Sequence, residues 1–76
     1  MTTTTEFWSI STAVEFFESV APSVAFRAGS EVRDGLEFRD APAPFRVVEY
    51  NTGGERGAML TDSAGIVWRD AFILVR

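Results

Sequence analysis

The apolar positions of this chain change period partway along it. Val14, Phe17 and Ala21 recur at helical spacing, Phe16 and Val20 widen the stripe, and Glu15, Glu18 and Ser19 are left for solvent. Thr12 with Glu15 three residues later has the form of a capping box, and Ser11 is an alternative cap, so a helix of about two and a half turns is expected to start there. Pro22 supplies the stop. Upstream, the β-branched tract Thr2 to Thr5 leads into Phe7-Trp8-Ser9-Ile10. This stretch reads as an edge strand in preference to a frayed arm over residues 1–6.

Beyond Pro22 the period falls to two. Val24, Phe26 and Ala28 alternate with Ala25 and Arg27, as in a half-buried strand, and Ala28-Gly29-Ser30 breaks it. Val32 and Leu36 flank Arg33-Asp34-Gly35, where a three-residue loop with Gly35 in the left-handed position puts both apolar residues on one face. Residues 40–44, Asp-Ala-Pro-Ala-Pro, make an extended connector, because each proline removes a donor and restricts the residue before it. Phe45 to Tyr50 and Ala58 to Thr61 read as strands around a Gly-rich loop over residues 51–57, and Asp62 and Gly65 occupy the first and last positions of a type I turn. From Ile66 to Val75 apolar residues fall on both parities, which predicts a central strand or one beneath a subunit interface.

Together these elements predict an α+β fold. Residues 1–76 form one domain, a strongly twisted antiparallel sheet of four to six strands, or a half-open barrel, with one short helix against its concave face. At 76 residues, burial barely offsets chain entropy. A 46% hydrophobic content with 13% aromatics is nonetheless that of a folding chain. With no Cys and no His, neither a disulfide nor a structural zinc of the usual kind can reinforce it, which leaves association as the supplement.

Eleven carboxylates against seven basic residues, all Arg, give a net charge of −4, unsuited to binding nucleic acid directly or to an anionic membrane. No run approaches a spanning helix, and the N-terminus lacks the basic start and apolar core of a signal peptide, so the expected address is the cytoplasm, or the host cytoplasm if a phage encodes the chain. No cofactor is expected. Without His, Cys or Lys, the groups left for chemistry are Asp, Glu, Ser, Thr and the single Tyr50, and so small a chain has little volume for a cleft once its core is built, so no enzymatic activity is expected. The loop at Gly53-Gly54-Glu55-Arg56-Gly57 lacks the Lys-Ser/Thr ending and following helix of a phosphate loop, and residues 62–65 lack the further oxygen ligands of a calcium loop.

The most distinctive pattern is a short recurrence. Glu31-Val32-Arg33-Asp34 is echoed by Glu37-Phe38-Arg39-Asp40, and Val67-Trp68-Arg69-Asp70 repeats its end. On strands this places the apolar residue inward and Arg outward, as an ordinary solvated surface or as an Arg-bearing face that grips a protein. The candidate partner-binding residues are accordingly Arg33, Arg39, Arg69, Glu37 and Tyr50. A surface imitating nucleic acid, built on Glu15, Glu18, Glu31, Glu37, Asp34 and Asp40, is weakened by the interspersed Arg. The expected function is a small non-enzymatic binding module, an inhibitor or adaptor occupying a site on a larger protein or complex. A phage or mobile-element inhibitor of a host defence complex, of the anti-CRISPR kind, has this size and composition. The alternative is a structural or assembly module that forms a homodimer through its C-terminal strand.

Overall fold

The structure, a computed structural model, describes residues 2–21 and 40–74. Its elements follow in the order β1 (Thr2–Phe7), α1 (Ile10–Val20), β2 (Phe45–Thr52), β3 (Glu55–Thr61) and β4 (Val67–Leu74). The strands form one antiparallel sheet in the order β1-β2-β3-β4, with α1 on one face, so the α+β fold is as expected, with four strands among the described residues. The strands expected around residues 24–28 and at the 32–36 hairpin lie outside the described residues.

The Thr tract is a strand. All six residues of β1 pair in register with β2, from Thr2 opposite Tyr50 to Phe7 opposite Phe45. The helix starts earlier than the capping-box reading placed it: Ser9 is the N-cap in extended conformation, and Thr12 and Glu15 both lie inside α1. The cause is Ile10, which packs on the core and extends the apolar stripe to Ile10, Ala13, Val14 and Phe17, a full i, i+3, i+4, i+7 face. Ser9 makes no side-chain cap to the backbone; its hydroxyl bonds that of Ser11 at 2.9 Å. At the other end Ala21 is extended, the conformation favoured before proline, and its N–H donates to the Phe17 carbonyl at 2.8 Å.

The β2–β3 connection is tighter than the seven-residue loop expected from the glycines. Only Gly53 and Gly54 turn, Thr52 pairs with Glu55, and Gly54 takes the positive φ of 95° that glycine adopts without steric cost. The Asp62–Gly65 turn forms as expected, with the Gly65 N–H donating to the Asp62 carbonyl at 3.1 Å.

Register decides what faces the helix. Phe45 and Val47 of β2, Leu60 and Ala58 of β3, and Ala71 of β4 share the face on which Ala13 and Phe17 are buried, and these seven residues form the core. The opposite face carries Val48, Met59, Tyr50, Gly57, Asp70 and Phe72. β4 is the last strand of the sheet among the described residues. Its mixed apolar pattern reflects a break in register between Leu60 and Thr61, which brings Trp68 partly onto the core.

Candidate protein-binding surface

The fold buries three charged side chains among the described residues, Asp62, Arg69 and Asp70. Asp62 is 1% exposed. Its Oδ1 accepts the backbone N–H groups of Ala64 at 2.8 Å and Ile66 at 3.1 Å, and its Oδ2 accepts the Trp68 indole N–H at 2.9 Å. The Asp62 N–H donates in turn to the Ile66 carbonyl at 3.1 Å, closing the turn on itself. One carboxylate thus ties the loop to the first residues of β4.

On the face away from the helix, the Tyr50 hydroxyl donates to Asp70 Oδ1 at 2.8 Å. Tyr50 lies on β2 and Asp70 on β4, so the phenol crosses β3, and it does so over Gly57. A Cβ at residue 57 would overlap the Ala71 carbonyl oxygen and sit 2.7 Å from the Tyr50 hydroxyl. Glycine is required here for close approach, not for a positive φ.

Arg69 departs from the outward position expected of it. It pairs with Leu60, which places it on the helix face, where it is fully buried, and its Nη1 lies 3.6 Å from Glu18 Oε1 of α1. Strand parity explains the correction: the break between Leu60 and Thr61 shifts β4 by one residue, so the simple inward-outward alternation assumed from Val67-Trp68-Arg69-Asp70 does not apply. Arg33, Arg39 and Glu37 lie outside the described residues. Tyr50 is half-buried and bonded to Asp70, and the structure does not bring it together with Arg69, since the two lie on opposite faces of the sheet.

Among the described residues, the exposed large apolar side chains are Trp8, Ile66, Val67 and Leu74. Ile66 and Val67, 55% and 48% exposed, are adjacent and follow the turn that Asp62 fixes. Trp8, 74% exposed, sits past the end of β1. Phe7 pairs with Phe45, Arg46 with Thr61 and Thr61 with Val67, so Trp8 and the Ile66-Val67 corner lie at the same end of the described sheet, beside its first and last strands. The sequence pattern hides this corner, because Ile66 and Val67 read as the start of a continuous strand apolar on both faces. The signal that could have found it was Asp62 itself, spaced to accept from its own loop.

A cleft of about 560 Å³ opens at the other end of the sheet, bordered by Thr3, Val20, Glu49, Tyr50, Asn51, Arg56 and Gly57. Its lining mixes one carboxylate and one guanidinium with apolar and neutral groups, and no convergent set of donors marks a reacting atom's position. No helix among the described residues is long and apolar enough to cross a membrane, and no group of three or more Asp and Glu side chains gathers there as a metal site would require. The fold is α+β, an antiparallel sheet of four strands among the described residues with one helix against it, and its surface carries a turn-borne apolar corner. Comparison with known proteins adds no narrower class: no family model, no curated protein and no solved structure matches the chain.

Proposed function

We propose that this chain is a small non-enzymatic binding module, an inhibitor or adaptor, that occupies a site on a larger protein through the Ile66-Val67 corner. The observation that carries the reading is a pair of exposed β-branched apolar side chains held on a turn whose conformation one buried carboxylate determines. A corner ordered before binding loses little conformational entropy when it docks, which is what raises affinity at small interfaces. The net charge of −4 suits a partner whose apolar recess is bordered by basic groups. Of the Arg-bearing surface expected from sequence, Arg69 is withdrawn into the fold, so affinity is assigned to the apolar corner instead.

The test is affinity capture from a lysate of the organism that encodes the chain, with wild type, Ile66→Ser and Val67→Ser as parallel baits washed at low and high salt. A partner recovered stoichiometrically by wild type, retained at high salt and lost with both variants supports the reading. A partner retained by both folded variants refutes the assignment of the corner.

A further inference from the structure

We propose that the chain also pairs with a second copy of itself through the outer edge of β1, as two antiparallel strands related by a two-fold axis at Thr5. The two edges of the described sheet differ in how they are guarded. β4 begins beside a register break, an irregularity that discourages strand addition. β1 pairs with β2 at six consecutive positions without a break, contains neither Pro nor Lys, and is Thr at four of its six residues. No strand covers its outer edge among the described residues. A regular, β-branched, open edge is a template for another strand.

The occupant is a second copy because the edge is self-complementary. A two-fold axis perpendicular to the sheet leaves every side chain on its own face, so only residues of equal parity can oppose each other. With the axis at Thr5, Thr4 lies opposite Glu6 of the second copy and Thr3 opposite Phe7, and Glu6 never faces Glu6. Thr2 then lies beside Trp8, which follows the end of β1 and is 74% exposed in the single chain. An axis at Thr4 would set Thr2 opposite Glu6 and leave Trp8 farther from the second copy. Pairing of this length buries little surface, so the dimer is a transient one.

The register makes a prediction in which opposite charges act with opposite sign. Thr4 is exposed, so Thr4→Lys and Thr4→Glu both leave the monomer fold intact, as far-UV circular dichroism will verify. Across the axis, Lys at this position meets Glu6 twice and Glu meets it twice, so sedimentation velocity from micromolar to millimolar protein should show dissociation constants about tenfold lower and about tenfold higher, respectively. Because the chain has no cysteine of its own, mild oxidation of Thr5→Cys should give a disulfide-linked dimer, and Ala64→Cys in the β3–β4 turn should not. A wild type that stays monomeric throughout overturns the proposal. A dimer indifferent to both Thr4 substitutions overturns it in favour of another surface, such as the Leu74 end of β4. Loosening by both, with linkage through Thr4→Cys instead of Thr5→Cys, overturns the register.

Discussion

Replacing Asp62 tests whether one carboxylate organises the β3–β4 corner. Asp62→Ala removes the acceptor of three donors at 2.8, 3.1 and 2.9 Å. Hydrogen bonds to an ionised group contribute about 1.5–3 kcal/mol each when the donor is left dry. Ala64 and Ile66 are exposed, so water can replace the acceptor at their N–H groups, while the Trp68 indole is half-buried and less easily rescued. The expected loss is therefore about 2–4 kcal/mol, well below the sum of three isolated bonds. A chain of this length has roughly 4–11 kcal/mol of stability in total, so the variant stands close to unfolding.

Asp62→Asn is the sharper probe. It keeps one carbonyl oxygen for the turn but sets an amide N–H₂ against the indole N–H, two donors face to face, at a cost of about 1–2 kcal/mol. In a Trp68→Phe background that conflict is gone and the same substitution should cost almost nothing, a coupling of about 1 kcal/mol or more in the double-mutant cycle. Urea unfolding followed by far-UV circular dichroism reads all four proteins without depending on the tryptophan. If Asp62→Ala loses less than about 0.5 kcal/mol, or Asp62→Asn costs the same in both backgrounds, the carboxylate does not organise the corner.

Further expectations follow from the same contacts and are read by the same unfolding assay. Gly57→Ala should destabilise by about 3 kcal/mol, because its Cβ meets the Ala71 carbonyl oxygen, and adding Tyr50→Phe should relieve only part of this; tolerance of alanine would show that β3 and β4 can separate there. Phe17→Ala, which empties the centre of the helix–sheet contact, should cost about 3–5 kcal/mol, and a loss below about 1 kcal/mol would mean that α1 does not pack as described. Glu18→Ala should cost about 1–2 kcal/mol by withdrawing a partner from buried Arg69, whereas Arg69→Met should change stability by less than about 1 kcal/mol; the reverse ranking would show that the ion pair is worth more than the apolar packing that can replace it. Glu6→Gln, which breaks the exposed 3.3 Å pair with Arg46, should stay within about 0.5 kcal/mol at moderate protein concentration.

Where period alone carried the information, sequence and structure agree. The edge strand at Thr2–Phe7, the helix after it, β2 and the Asp62–Gly65 turn all follow from spacing and turn chemistry. The differences arise where tertiary contact outweighs a local signal. Thr12 and Glu15 have the form of a cap, yet burial of Ile10 extends the helix past them. The glycines at 53, 54 and 57 look like one long loop, but Gly57 is a strand residue chosen for the crossing of Tyr50, and a strand glycine of that kind is invisible until its neighbours are known. Arg69 lies inward where strict alternation predicts it outward, since a register break has no signature in a sequence whose apolar residues already fall on both parities. The break also sets the face of Val67, while Ile66 is placed by the Asp62 turn before β4 begins. The candidate surface was therefore less legible than the fold.

The most direct test of the central claim is an amide-resolved titration of the isotope-labelled chain with the partner recovered by capture. Docking through the Ile66-Val67 corner should give chemical-shift changes concentrated at residues 64–68, with the Trp68 indole N–H still bonded to Asp62 in the complex. Changes confined to the helix or to the cleft at the opposite end of the sheet, with residues 64–68 unperturbed, would contradict it.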